Sequence, residues 1–118
     1  MNKAETTLRN LEFSNQITLG TRDKSVVIDE TVIRIMKAVD QKGSLNYALM
    51  LVGLSYRNGW GKIKKIEKEL EIILIHSVRG GSVGGRSELS PAGKALILSY
   101  DKIRKEIDAV MHAHNKGR

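Results

Sequence analysis

Short apolar runs alternate with polar punctuation along this chain, and the period of each run predicts its element. Ile17-Thr18-Leu19 and Val26-Val27-Ile28 flank the polar segment Gly20-Thr21-Arg22-Asp23-Lys24, which predicts a small β-hairpin. Asp29 follows as a helix N-cap with Glu30 in the first turn, and Val32, Ile35, Met36 and Val39 then recur at helical spacing until Gly43. Ser44 caps a second helix through Val52, and Gly53 supplies the left-handed geometry of a tight turn. Ser55 caps a third helix to about Leu70. Beyond it, Ile72 to Val78 predicts a strand, Gly80-Gly81-Ser82-Val83-Gly84-Gly85 a hairpin tip, and Ser87-Glu88-Leu89 the returning strand. Two helices joined by a short glycine-containing turn and followed by a hairpin predict a winged helix-turn-helix.

Ser90 caps the last helix, with Pro91 at its first position, where a missing N–H does no harm. Leu96, Tyr100, Ile103, Ile107, Val110 and His114 alternate steps of four and three, the seam of a coiled coil, and Met111 widens it. About 24 residues of helix reach roughly 36 Å, more than a domain this size needs to cover its own core. The expectation is a homodimer joined through Leu96, Tyr100, Ile103, Ile107 and Val110. The fold class is therefore mostly α with small β-hairpins. Residues 1–16 form an N-terminal arm, 17–90 the winged helix-turn-helix, 91–114 the dimerisation helix and 115–118 a tail, within the size of one domain at 118 residues.

Composition narrows the function. Twenty Lys and Arg against thirteen Asp and Glu leave a net charge of +7. More than half of that excess falls in residues 57–86, which carry seven basic and three acidic side chains. A polyanionic partner follows, and duplex DNA fits better than single strands, because the few aromatic residues offer no stacking platform and Trp60 is assigned to the core. No cysteine is present, which excludes disulfides and thiolate metal sites. The N-terminal stretch mixes Lys3, Glu5, Arg9 and Glu12 among its apolar residues and lacks a signal-peptide core, and no apolar run approaches a bilayer span. A cytoplasmic, nucleoid-associated protein is expected, with no membrane partner and no cofactor; the sequence does not identify an effector ligand.

At 100° per residue, Trp60, Ile63, Ile66 and Leu70 fall on one side of the helix after Ser55. Arg57, Asn58, Gly61, Lys64, Lys65 and Lys68 fall on the other. The N-terminal turns are basic or neutral, which opposes the helix dipole unless an anion is brought to them. Arg57 and Asn58 occupy the first turn, where a recognition helix meets base edges, and suit guanine and adenine. Ser55, Tyr56, Lys62, Lys64 and Lys65 are placed for phosphates. Arg79 and Arg86 flank the glycine tip and would carry a wing to the backbone or minor groove.

Other signals carry less. Gly80 to Ser87 nearly spells a phosphate-binding loop, but Arg86 replaces the lysine and a strand, not a helix, follows. His112 and His114 do not share a helix face, and no Ser/His/Asp set or carboxylate pair suggests catalysis, so no enzyme is expected.

Gly43-Ser44-Leu45-Asn46-Tyr47-Ala48, Gly53-Leu54-Ser55-Tyr56-Arg57-Asn58-Gly59-Trp60, the double-diglycine wing and Leu89-Ser90-Pro91-Ala92-Gly93 with Tyr100 together resemble the N-terminal DNA-binding domain of ModE-type molybdate-responsive regulators, distant relatives of the LysR type. The resemblance covers about residues 17–110 and implies a dimeric transcription factor whose long helix joins the subunits. Molybdate sensing is not carried over, since the oxyanion-binding domains of that family have no counterpart before Arg118. Leu49 and Met50 stand where the family often has a small and a basic residue, and Ser77 where it often has arginine. The reading is a sequence-specific duplex DNA-binding transcriptional regulator. The alternatives are an architectural nucleoid-type protein with little sequence preference, and a module whose basic face meets an acidic protein.

Overall fold

Asp29 begins the central helix of the fold. In the computed structural model, which describes residues 2–78 and 85–117, its side chain accepts the Val32 amide and starts α2 (Glu30–Lys42). One face of α2 repeats at helical spacing and is fully packed: Val32, Ile33, Ile35, Met36, Ala38 and Val39 are buried. Gly43 ends the helix at φ 68°, a left-handed geometry that costs glycine nothing. The chain can then turn at once into α3 (Leu45–Leu51), capped by Ser44. Gly53, at φ 74°, makes the next turn, and Ser55 caps α4 (Tyr56–Leu70).

Around this tri-helical core lie two small antiparallel hairpins. β1 (Leu19–Gly20) pairs with β2 (Val27–Ile28), the hairpin expected before α2. β3 (Ile75–Val78) pairs with β4 (Arg86–Leu89) in the register Ile75↔Leu89 to Val78↔Arg86. The order helix, helix, turn, helix, hairpin is compatible with a winged-helix arrangement. Residues 79–84, and with them Arg79 and most of the glycine tip, lie outside the described residues.

β3 starts three residues later than the apolar run suggests. Glu71 leaves α4 in the left-handed region at φ 57°, and the Glu67 carboxylate accepts the Leu74 and Ile75 amides at 2.7 and 3.1 Å. Ile72 and Ile73 stay exposed, while Leu74 and Ile75 enter the core.

α5 (Pro91–Lys116) starts at Ser90 as expected and extends through Lys116. It divides into two parts. Near its start Gly93, Ile97 and Tyr100 are buried against the domain, and a Cβ on Gly93 would sit 2.5 Å from the Leu74 carbonyl oxygen. Farther along, Ile103 and Val110 are exposed at 45% and 55%. The predicted seam is thus shared: Tyr100 belongs to the core, Leu96 packs partly against it, Ile107 is half-buried, and Ile103 and Val110 face outward.

The N-terminal arm holds a short helix that the sequence pattern did not predict, α1 (Lys3–Arg9), capped by Asn2 and fully exposed. The arm then runs back to α5, where the Asn115 side chain accepts the Phe13 amide and donates to its carbonyl. Arg104 of α5 completes the attachment. It donates to Asn15 and to Glu30, and Glu30 also accepts from Tyr100 Oη and the Ile17 amide.

Candidate nucleic-acid interface

The turn between α3 and α4 is held by the Leu54 amide, which donates to the Leu49 carbonyl at 3.0 Å. α3 and α4 approach so closely that a Cβ on Gly59 would lie 2.1 Å from Leu49 Cδ2. The bulky residue on α3, one of the departures from the resembled family, is accommodated by the missing side chain on α4. Gly59, Ile63 and Ile66 form the buried line of α4. Trp60, expected inside, lies one position to its flank and is only half-buried. Its ring stacks with Tyr56 at 6.3 Å, and the Lys64 ammonium sits 4.3 Å from its centroid.

The opposite face of α4 is open. Ser55, Tyr56, Arg57, Asn58, Lys65 and Lys68 are all exposed. Arg57, Lys65 and Lys68 have no ion pair among the described residues. A Cβ on Gly61 would meet nothing within 4 Å, so packing does not require glycine there.

Two of the expected phosphate-binding lysines are already paired within the chain. Lys62 lies 3.1 Å from Asp29 Oδ2, and Lys64 lies 3.1 Å from Glu67 Oε1. Asp29 is therefore both the cap of α2 and a counterion for α4. Burial raises its carboxyl pKa, but the Val32 amide and Lys62 outweigh that and hold it below the ordinary value. Sequence spacing could not reveal the Asp29–Lys62 pair, whose members are 33 residues apart. Glu67, which lies with Glu69 and Glu71 toward the C-terminal end of the helix, is 4% exposed, and its carboxylate anchors β3. Its only local signal is the Lys64 three residues earlier.

Arg86 stands at the root of β4. The Ser87 amide donates to the Gly43 carbonyl at 2.9 Å, tying this hairpin to the α2–α3 turn. That places the exposed Arg86 guanidinium 3.9 Å from where a Gly43 Cβ would be. The hairpin, α3 and the start of α4 thus present one continuous side. Across the hairpin, His76 and Glu88 form an exposed pair at 3.3 Å. Among the described residues no helix is long and apolar enough to cross a membrane.

No family profile matches the chain. Among curated proteins it is similar to the molybdenum transport protein ModE of Azotobacter vinelandii, 28% identical over 84% of this chain and 36% of that protein. It is also similar to the transcriptional regulator ModE of Yersinia pestis, 33% identical over 62% of this chain and 28% of that protein. A third relative is the DNA-binding transcriptional dual regulator ModE of Escherichia coli K12, 31% identical over 72% and 32%. The chain spans about a third of the length of these curated relatives. Among solved structures, a full-length OxyR variant from Pseudomonas aeruginosa shares the fold over 77% of this chain and 29% of its own, with a TM-score of 0.53 at 19% identity.

Proposed function

We propose that this chain is a sequence-specific duplex DNA-binding transcriptional regulator of winged helix-turn-helix type, acting as a homodimer and not as an enzyme. The observation that carries this reading is the outer face of α4. Arg57, Lys65 and Lys68 project from it with no ion pair among the described residues, with the exposed Asn58 beside them and the root of a β-hairpin that carries Arg86 nearby. A helix presented this way fits the major groove, with Arg57 and Asn58 toward base edges and Ser55, Tyr56 and Lys65 toward phosphates. Lys62 and Lys64 contribute to the field of this face while remaining bound to Asp29 and Glu67. Arg79, expected from the sequence in the same wing, lies outside the described residues. The names of the Yersinia and Escherichia relatives, a transcriptional regulator and a DNA-binding transcriptional regulator, support the assignment.

The outer half of α5 supports the dimer. Ile103 and Val110 are exposed apolar side chains on the part of the helix beyond Tyr100. Two copies joined there would set their recognition helices in successive major grooves, about 34–36 Å apart, on an inverted repeat.

Selection of genomic duplex fragments by the purified protein at about 150 mM salt, with excess nonspecific competitor, tests the proposal. One motif recovered as an inverted repeat is the expected result. Retention without a shared motif would replace it with an architectural role, and no retention would overturn DNA binding.

A further inference from the structure

A polar cavity of about 220 Å³ opens between the α2–α3 turn, the first turn of α4 and the root of the β3–β4 hairpin. Its walls include Ser44, Asn46, Tyr56, Ser77, Arg86 and Ser87. The chemistry of this set is one-sided. Among the described residues Arg86 is its only cation, no carboxylate lines it, and Arg86 has no ion pair. The remaining polar walls are hydroxyls and an amide, all able to donate hydrogen bonds.

The cavity is also braced. Ser77 and Ser87 face each other in register across the hairpin, and the Ser87 amide bond to Gly43 fixes that hairpin to the helices. The Arg86 guanidinium lies beside the Gly43 turn, 3.9 Å from where a Cβ would be. On the far side, the Tyr56 ring is stacked on Trp60. A guanidinium with neutral donors around it, and no acidic side chain to repel an anion, matches the oxygens of a phosphodiester.

We infer that this cavity seats one phosphate of the DNA backbone, held by Arg86 and Asn46 with the hydroxyls of Tyr56, Ser77 and Ser87 around it. The inference rests on the DNA-binding reading and extends it. The protein grips the duplex at the junction of wing and helix-turn-helix as well as through the outer face of α4. Because the contact is to phosphate, it adds affinity on every sequence and carries no base preference.

The test is a double-mutant cycle on the full chain, with Asn46→Ala, Arg86→Gln and the pair, measured by titration onto one fixed duplex over a range of salt. Both sites are exposed, and Ala is a better helix former than Asn, so the variants keep the fold; circular dichroism melting confirms it. Arg86→Gln is expected to weaken binding about tenfold and to reduce the slope of log affinity against log salt by about one. Asn46→Ala is expected to weaken binding about threefold with the slope unchanged, since it removes no charge. If both groups hold one phosphate, the pair loses about tenfold, less than the product of the single losses. Losses that multiply independently, or an Asn46→Ala variant that binds like the parent, overturn the shared seat while leaving DNA binding intact. A parent protein that binds no duplex overturns the DNA reading and the seat with it.

Discussion

The two faces of α4 are built to different rules, and two glycines show the difference. Gly59 lies on the inner face, where Leu49 fills the space any side chain would need. Gly61, two residues on, lies on the outer face with nothing near it. Both lower the intrinsic helix propensity of α4 by about 1 kcal/mol relative to Ala. On the inner face that cost is offset by the close approach of α3. On the outer face no described residue offsets it, as expected if the surface of a bound duplex comes close there. The charges divide the same way. Glu67 and Lys64 are committed to the structure, while Arg57, Lys65 and Lys68 have no ion pair among the described residues.

Substitutions can break this contrast, and the largest effect is expected at Glu67. Glu67→Ala leaves the buried amides of Leu74 and Ile75 without an acceptor and should cost about 3 kcal/mol in urea unfolding. Glu67→Gln, whose amide carbonyl can accept both bonds, should keep most of that stability. If Ala and Gln are equally mild, Glu67 is not the anchor of β3.

Gly59→Ala forces a Cβ into Leu49 and should destabilise by about 2 kcal/mol. Gly61→Ala should do the reverse, raising stability by about 1 kcal/mol while lowering DNA affinity. A Gly61→Ala variant that melts higher and binds duplex as tightly as the parent would show that no surface approaches this position.

Within the outer face, Arg57 and Lys65 should separate. Arg57→Ala is expected to relax sequence preference by about 1–3 kcal/mol at one base pair. Lys65→Ala should weaken all duplexes alike and flatten the salt slope by about one. Equal losses on every sequence for both variants would remove Arg57 from base readout.

The smallest effect concerns the lysine held back by Asp29. Asp29→Asn keeps a competent N-cap but releases Lys62, so stability at neutral pH should fall slightly while the salt slope of DNA binding steepens by up to about one. The folded carboxyl lies below its ordinary value, so its stabilisation is complete above the unfolded pKa of about 4 and is lost as pH falls through the folded one. The stability gap between the parent and Asp29→Asn should therefore close on acidification. A gap that is constant from pH 7 to about pH 3 would mean that the ion pair contributes nothing.

Much of the scaffold was legible in local signals. The caps Asp29, Ser44, Ser55 and Ser90 all start helices where the sequence places them, and Gly43 and Gly53 both adopt positive φ. Caps and turns depend on a few neighbouring residues, so the chain specifies them before anything packs. The start of β3 was misjudged because Ile72 and Ile73 look like strand residues. Glu67, several positions earlier, fixes where the ladder begins. The helix in the N-terminal arm was missed because it has no apolar stripe, only the Asn2 cap. Trp60 was placed inside because it shares a helix face with Ile63, Ile66 and Leu70, whereas the buried line runs through Gly59, one residue away, and leaves Trp60 half-buried at its flank.

The sequence by itself therefore determined the order of elements, their caps and the excess of positive charge around α4, since each depends on neighbours within one or two turns. Only the tertiary structure decided which cations are free. Asp29 reaches Lys62 across 33 residues of chain through packing, while Glu67 reaches Lys64 within one turn of α4; Arg57, Lys65 and Lys68 are left with no ion pair among the described residues. It also decided how α5 is divided, because Tyr100 can reach Glu30 only once α5 crosses α2. The Asp29–Lys62 and Tyr100–Glu30 contacts join residues distant along the chain, and no local periodicity encodes such a contact.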